Sequence, residues 1–172
     1  MGKIGKIAFI GGGAMGEAII KGILQAKLAA GEDITVSDPF EQRLEYLQKQ
    51  YGVNGTKDNV AAVKNAKTVI LAVKPQMADK AITSTVAQAI AEEAAVVSIM
   101  GSVDLEKLHS LIPGKALIRV MPNTPLAVGA GMTAIAPDEN AGQEMIETTK
   151  AIFGSCGEVV EVQESAMEAI TA

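Results

Sequence analysis

Three consecutive glycines between an apolar run and an apolar, helix-forming segment are the feature that most constrains this chain. Residues 7–20 have the sequence IAFIGGGAMGEAII, in which Gly11, Gly13 and Gly16 have the spacing G-x-G-x-x-G. Between a strand and a helix, these glycines permit a tight turn, close approach of a pyrophosphate, and close helix–strand packing. The helix N-terminus adds N–H groups and partial positive charge. The motif predicts a dinucleotide site, the alternative being a glycine turn that only joins strand to helix.

Strand-like and helix-like segments alternate along the rest of the chain. Predicted strands span residues 6–10, 33–37, 68–73, 95–99, 116–121, 132–136 and 158–162. Predicted helices span residues 14–29, 42–51, 59–65, 78–92, 105–111 and 139–153. Strands separated by helices favour parallel pairing through crossover connections. The pattern predicts an α/β fold with a Rossmann-type, doubly wound, mainly parallel sheet flanked by helices.

Charge and composition disfavour several functional classes. The net charge is -5 and no cluster of Lys or Arg is present, which argues against a nucleic-acid or anionic-membrane surface. No run reaches the roughly 20 apolar residues that span a bilayer. Cys156 is the only cysteine, so no internal disulfide forms, and no group of residues has metal-ligand spacing. We expect a cytoplasmic protein that uses no metal.

The second predicted strand ends in candidate ribose-binding residues. Asp38 lies about 20 residues after the last glycine, where an acidic residue bonds the adenosine ribose and repels a 2′-phosphate. Ser37 could instead donate to a 2′-phosphate, and Arg43 lies about one helical turn further on. NAD and NADP therefore both remain open. The alternative for Asp38 and Pro39 is a simple strand-ending turn.

Two further strand ends carry polar residues beside prolines. Lys74 precedes Pro75 and is placed for a phosphate or a substrate carboxylate, unless it is only a solvated lysine. Asn123 and Thr124 lie between two prolines in a stiff loop that suits a flat ring, the alternative being a rigid connector. His109 is the only histidine and falls within a predicted helix, so we expect it on a helix surface.

Four of these segments together resemble pyrroline-5-carboxylate reductase, the last enzyme of proline biosynthesis. They are IAFIGGGAMGEAII, ILAVKPQ at residues 70–76, RVMPNTPLAVGAGMTAI at 119–135 and ESAMEAITA at 164–172. The resemblance implies a Rossmann domain over residues 1–163 that binds NADPH or NADH. It also implies that residues 164–172 begin a truncated helical C-terminal domain, through which the full-length form would be a homo-oligomer.

The resemblance also implies a set of cofactor contacts, to which the strand-end argument adds Asp38. The residues are Ile10, Gly11, Gly12, Gly13, Ala14, Met15 and Gly16 at the pyrophosphate, Ser37, Asp38 and Asn59 toward the adenosine, and Ala72, Val73, Lys74, Pro75, Ser98, Met100 and Gly101 along the cleft. Pro122, Asn123 and Thr124 would lie near the nicotinamide and the substrate. Residues 98–103 read SIMGSV where the family more often has a small-residue AGV, so the nicotinamide pocket differs in detail.

The implied reaction is hydride transfer from the nicotinamide to the C=N carbon of 1-pyrroline-5-carboxylate, which gives L-proline. No catalytic proton donor is identified in the chain, and we expect the 172-residue chain to be poorly active by itself. Two other classes stay open. One is a related NADP oxidoreductase of the 6-phosphogluconate or F420-linked type, against which MPNTP argues. The other is a non-catalytic dinucleotide-binding regulator.

Overall fold

Each strand predicted from an apolar run is present in the structure, a computed structural model that describes residues 3–171. The strands are β1 (Ile7–Ile10), β2 (Ile34–Ser37), β3 (Asn54–Thr56), β4 (Thr68–Leu71), β5 (Ala95–Ser98), β6 (Ala116–Met121), β7 (Gly131–Pro137) and β8 (Gly157–Glu161). The helices are α1 (Ala14–Gln25), α2 (Glu41–Tyr51), α3 (Asn59–Val63), α4 (Ala78–Ala81), α5 (Ser84–Ala89), α6 (Leu105–Leu111), α7 (Gln143–Gly154) and α8 (Met167–Thr171).

The strands form one sheet in the order β3-β2-β1-β4-β5-β6-β7-β8. Neighbours pair in parallel, except that β6 and β7 are antiparallel. Because β1 to β6 run in one direction, their carboxyl ends meet at one edge of the sheet, whereas those of β7 and β8 lie at the opposite edge. The predicted Rossmann-type, mainly parallel α/β class is therefore confirmed.

Alternate strand residues point to two cores, one on each face of the sheet. On the first face, α1, α2 and α7 pack on side chains that include Phe9, Ile70 and Val97. On the second face, α3, α4, α5 and α6 pack on side chains that include Val69 and Leu117. The central strands are buried on both faces, as a covered parallel sheet requires.

Several predicted boundaries differ from the structure for local reasons. The strand β3 was not predicted, because Asn54–Thr56 has no apolar side chain and forms only by pairing with β2. The helix predicted over 78–92 is wrong as one element, since the chain leaves helical geometry at Ile82 and α5 restarts behind a Thr83 cap. The first helix ends at Gln25 rather than at residue 29, before Lys27 with φ of 57°.

Two more predicted helices are shorter than expected. The helix predicted over 139–153 begins at Gln143, with Gly142 as its N-cap, and the one predicted over 59–65 ends at Val63. In both cases the residues left out are in turns or irregular backbone, and none of them is fully buried.

The C-terminal segment packs on the second face of the sheet. A 3-10 turn at Glu164–Ala166 leads into α8, and the buried Met167 contacts Ala134 and Ala136 of β7. The predicted domain boundary between residues 163 and 164 remains a prediction. Ala172 lies outside the described residues.

Candidate dinucleotide-binding site

The glycine turn lies between the ends of β2 and β4, at the edge where the parallel strands finish. Gly11 has φ of 102°, and a Cβ there would lie 2.6 Å from the carbonyl oxygen of Ala72. Its N–H donates to the Ser37 carbonyl at 2.8 Å, and the Ala72 N–H donates to the Ile10 carbonyl at 2.8 Å. Backbone geometry and close approach thus both demand glycine at this position.

Gly13 lies at the N-cap of α1 and leaves the helix end open. Its backbone is extended, with φ of -74° and ψ of -172°, and no described side chain caps the helix. A Cβ at Gly13 would meet no described atom within 4 Å. The N-terminal N–H groups of a helix attract anions, so Ala14 and Met15 begin α1 where a pyrophosphate would be held.

The glycine turn packs more tightly at Gly12 than at Gly16. A Cβ at Gly16 would lie 3.4 Å from the Gly11 oxygen and 3.8 Å from Phe9 Cδ1 of β1, so α1 lies against the strand there, but these contacts do not by themselves exclude a side chain. A Cβ at Gly12 would lie 2.9 Å from Leu47 Cδ1 and 3.1 Å from Val36 Cγ1. The glycine turn packs on α2 and β2, which the sequence spacing did not reveal.

Asp38 and Arg43 both hold Gly12. Asp38 Oδ2 accepts the Gly12 N–H at 2.9 Å, and its Oδ1 accepts the Phe40 N–H at 2.9 Å. Arg43 Nε donates to the Gly12 carbonyl oxygen, and its Nη2 pairs with Glu17 Oε1 at 2.7 Å. Two of the three residues considered for cofactor choice are therefore engaged with the turn itself.

Glu17 completes this bracing from the first turn of α1. Its carboxylate accepts hydrogen bonds from Tyr51 at 2.6 Å and Tyr46 at 3.0 Å, besides the Arg43 contact. Burial opposes ionisation, but the hydrogen bonds from Tyr51, Arg43 and Tyr46 keep the pKa of Glu17 below its usual value. Burial and the bond to Glu17 raise the pKa of Tyr51 to about 12. No sequence motif pointed to Glu17 or Tyr51.

Ser37 and Asn59 are brought together, but they bind each other. Ser37 is 1% exposed, and its hydroxyl donates to Asn59 Oδ1. Asn59 Nδ2 donates in turn to the Ala81 carbonyl at 3.0 Å. In this arrangement the Ser37 hydroxyl lies in the protein interior, so contact with a ribose or phosphate requires a change of its side chain.

The exit of β4 forms the next part of the edge. Ala72 and Val73 are half-buried beside the glycine turn, and Val73 N would lie 3.1 Å from a Cβ at Gly11. Lys74 and Pro75 are exposed and begin a 3-10 turn at Pro75–Met77. Lys74 is therefore an accessible cation at the predicted edge.

The exit of β5 has two buried side chains, those of Ser98 and Met100, on either side of the half-buried Ile99. Ser98 is 0% exposed, and its Oγ accepts the Met100 N–H at 3.3 Å. Met100 is 1% exposed and packs in the second core. Gly101 is half-buried, and its carbonyl accepts a bond from Arg119 Nη2 at 2.8 Å.

The proline-flanked loop follows β6 at the same edge. Pro122 is half-buried and Asn123 is exposed, with Asn123 Oδ1 accepting the Met132 N–H at 3.0 Å. Thr124 begins the 3-10 turn Thr124–Val128, and its side chain lies outside the described part of the structure. The structure thus brings the predicted glycine, β4, β5 and β6 segments to one edge.

The single histidine lies away from this edge. His109 is partly exposed on α6, where its Nε2 is 3.3 Å from the buried Oδ2 of Asp138 at the opposite end of the sheet. Burial raises the pKa of the Cys156 thiol, which disfavours a thiolate nucleophile. Among residues 3–171, no group of three or more His, Cys, Asp or Glu side chains could hold a metal. No helix in that range is long and apolar enough to cross a membrane.

Comparison with known proteins gives a family. Residues 6–102 match the family model described as NADP oxidoreductase, coenzyme F420-dependent. The chain is 42% identical over 166 residues to a pyrroline-5-carboxylate reductase of Synechocystis sp.. This match covers 96% of this chain and 61% of that protein. The structure of a pyrroline-5-carboxylate reductase from Coxiella burnetii matches with a TM-score of 0.92 at 28% identity, covering 97% of this chain and 62% of that chain. A Plasmodium falciparum pyrroline carboxylate reductase with NADP bound matches with a TM-score of 0.87 at 26% identity, covering 99% of this chain and 62% of that chain.

The chain belongs to the family of NADP oxidoreductases that this model describes. The relatives reported in sequence and structure are pyrroline-5-carboxylate reductases, so the resemblance drawn from the four sequence segments is confirmed. The chain spans about three fifths of the length of the curated relatives it matches, 61% and 62% for the first two.

Proposed function

We propose that this chain binds NADPH or NADH across the carboxyl ends of β2, β1, β4, β5 and β6, and serves the reduction of 1-pyrroline-5-carboxylate to L-proline. The observation that carries the proposal is the open end of α1, where Gly13 faces empty space and the helix N–H groups have no side-chain cap among the described residues. A pyrophosphate fits such a helix end by charge and by hydrogen bonding.

The remaining predicted contacts follow from the direction of the sheet. The position of Asp38 at the end of β2 supports an adenosine ribose on that side of the glycine turn. The other half of the cofactor then lies toward Lys74, the 99–101 backbone and Pro122 to Thr124. These contacts, including those of Ile10 to Gly16, Ser37, Asn59 and Ala72 to Pro75, belong to the proposal.

The protein's part in the reaction is positioning and exclusion of water. When bound, the reduced nicotinamide supplies a hydride to the C=N carbon of the substrate. The stiff loop at Pro122 and Asn123 would limit the freedom of the ring and of the imine beside it. Lys74 is an exposed cation at the same edge and suits the carboxylate of the substrate. No described side chain is assigned as proton donor.

The choice between NADPH and NADH stays part of the proposal. The Plasmodium relative has NADP bound, whereas the acidic Asp38 favours NADH. The two residues that could favour a 2′-phosphate, Ser37 and Arg43, are bonded to Asn59 and to Glu17 and Gly12. We also propose a cytoplasmic location, which the single cysteine supports. A further proposal is that proteins of this kind with the full length of the relatives form homo-oligomers.

Cofactor binding is the first test. Purified chain titrated with NADPH and NADH, followed by nicotinamide fluorescence, should bind at least one of them with a Kd in the range of about 1 μM to 1 mM that is usual for such ligands. A folded chain that binds neither at 1 mM would contradict the proposal.

Substrate class needs a separate test, because the chain matches only 61% of its Synechocystis relative. We expect the 172-residue chain to bind cofactor without measurable L-proline formation. Replacing the matched part of that relative by this chain should give a chimera that oxidises NADPH or NADH only when 1-pyrroline-5-carboxylate is present. A folded chimera that binds cofactor but leaves this imine unreduced would favour another NADP oxidoreductase or a regulator. The intact relative is the control.

A further inference from the structure

The loop of residues 99–104 joins β5 to α6. Side chains from distant parts of the chain bind it at Gly101 and at Leu105, where the loop meets α6. Arg119 on β6 lies beside Ser98 in the sheet register. Its Nη2 donates to the Gly101 carbonyl at 2.8 Å. Glu164 Oε1 accepts the N–H of Leu105, the first residue of α6, at 2.7 Å.

The two side chains that hold this loop also pair with each other. Arg119 Nη1 lies 3.2 Å from the same Glu164 Oε1, with side-chain exposures of 6% and 32%. A buried guanidinium needs its counter-charge, and removal of one partner leaves an uncompensated charge. Among the described residues, Glu164 is the carboxylate that pairs with the Arg119 guanidinium. The Nε atom of Arg119 is buried and has no hydrogen-bond partner among those residues, so the charge of Arg119 depends on this pair.

The C-terminal segment keeps Glu164 in place. Glu164 begins the 3-10 turn that leads into α8, and Met167, the first residue of α8, is 0% exposed against β7. The segment after β8 is thereby connected to the exit of β5 through one carboxylate.

We infer that Arg119 and Glu164 are positioning residues that set the backbone of loop 99–104 against the nicotinamide half of the cofactor. The inference rests on the proposed function. The adenosine lies toward β2 and the pyrophosphate at the glycine turn, so the nicotinamide half extends over β4 and β5. Ser98 and Met100 are buried, so the loop offers backbone there, and that backbone is the part that Arg119 and Glu164 hold.

The test separates the two halves of the cofactor. Glu164→Gln keeps the shape and an oxygen acceptor but removes the charge. Binding of NADPH is compared with binding of 2′-phospho-ADP-ribose, which lacks only the nicotinamide ring; NADH and ADP-ribose replace them if the wild type prefers NADH. We expect the Kd of the whole cofactor to rise about fivefold to tenfold and that of the fragment to change less than about twofold. Arg119→Lys, which replaces the two separate Nη donors by a single nitrogen, should show the same selectivity.

Glu161→Gln is the matched control. Glu161 is three residues earlier and pairs with Lys150 at 3.0 Å on the surface, so both affinities should stay at wild-type values. Equal loss of cofactor and fragment, or no loss of either, in Glu164→Gln would overturn the inference.

Hydrogen exchange makes the result independent of cofactor binding. Amides of residues 99–105 should exchange faster in Glu164→Gln than in the wild type, while those of β1 are unchanged. Unchanged exchange in the loop would overturn the inference, whether or not the wild type binds a cofactor. Failure of the wild type to bind any cofactor is a separate result, and it contradicts the proposed function.

Discussion

Asp38 and Arg43 both bind the backbone of Gly12, one at each of its two peptide groups. Asp38 accepts the Gly12 N–H, and Arg43 donates to the Gly12 carbonyl while paired with Glu17. Residues that the sequence indicated for reading the ribose thus also shape the glycine turn. We therefore expect a change of these residues to affect both the affinity for the cofactor and the choice between NADPH and NADH, and comparison of the two cofactors separates these effects.

Replacement of Asp38 by Ser tests its position relative to the ribose. The change removes a negative charge near the 2′ position of the ribose. Two charges about 4 Å apart in water interact with about 1 kcal/mol, so the affinity for NADPH relative to NADH should rise about fivefold. Both affinities should fall, because Gly12 and Phe40 lose an acceptor. The measurement is the ratio of the two Kd values.

Asp33→Ser is the control. Asp33 lies directly before the first residue of β2, whereas Asp38 follows the last one, and Asp33 likewise accepts a backbone N–H, that of Ala30. Its ratio of Kd values should equal that of the wild type. If the ratio for Asp38→Ser is also unchanged, the ribose lies elsewhere.

Glu17 gives the turn an acid-sensitive contribution to stability. Its folded-state pKa is lowered below 4.5, so the stabilisation is fully present above pH 4.5 and is lost as the pH falls through the folded-state pKa. Urea unfolding should show that the stability difference between wild type and Glu17→Gln narrows from pH 5.5 to pH values below about 4. The exposed Glu45→Gln on α2 serves for comparison. A difference that is constant with pH would mean that Glu17 has no such role.

At the scale of elements, α1 is positioned by a contact near its C-terminal end. A Cβ at Gly22 would lie 2.5 Å from Cys156 Sγ and 2.6 Å from Ser155 Oγ, so the turn before β8 packs directly on the helix backbone. The same helix carries the predicted pyrophosphate site at its other end, about 12 Å away for the eight residues from Ala14 to Gly22. The packing of α1 therefore connects β8 to the site.

Gly22→Ala should destabilise the protein by about 1–3 kcal/mol, because the new methyl group overpacks this contact. Urea unfolding gives the free energy directly. Gly154→Ala in the last turn of α7 has no described atom within 4 Å and should instead stabilise by about 0.5–1 kcal/mol. Equal effects of the two substitutions would show that α1 does not require glycine at residue 22.

The elements that the sequence predicted well are those with an apolar run or a helix that faces one core. The seven predicted strands all exist, and six of them bury apolar side chains whose identity alone indicates burial. The seventh, β8, has no buried residue and is held by its pairing with β7. The strand β3 was missed since its pairing with β2, rather than its residues, creates it. The break at Ile82 was missed because Ala-rich sequence on both sides has high helix propensity.

At the scale of the whole molecule, the sheet direction explains why the predicted site residues come together. The strand ends from Ile10 to Met121, 111 residues apart, meet at one edge because β1 to β6 are parallel, which the alternation of strands and helices predicted. The pairs Glu17–Tyr51 and Arg119–Glu164 were not predicted. They join residues far apart in sequence through side-chain orientation, for which no spacing rule exists.

Substitution of Gly13 tests the central claim, that the open end of α1 holds the pyrophosphate of a nicotinamide dinucleotide. Gly142 provides a matched control at the N-cap of α7: its backbone has φ of -76° and ψ of 165°, against -74° and -172° at Gly13. Neither Cβ would meet a described atom within 4 Å, and α7 follows β7, whose carboxyl end lies at the other edge.

The measurement is the Kd of NADPH and NADH for Gly13→Val, Gly142→Val and the wild type, with thermal unfolding to check the fold. Both variants should fold, since a Cβ at either position meets no described atom within 4 Å. Gly13→Val should bind at least about tenfold more weakly, about 1.4 kcal/mol, because its side chain occupies the pyrophosphate space, and Gly142→Val should bind as the wild type does. A folded Gly13→Val with wild-type affinity would contradict the account.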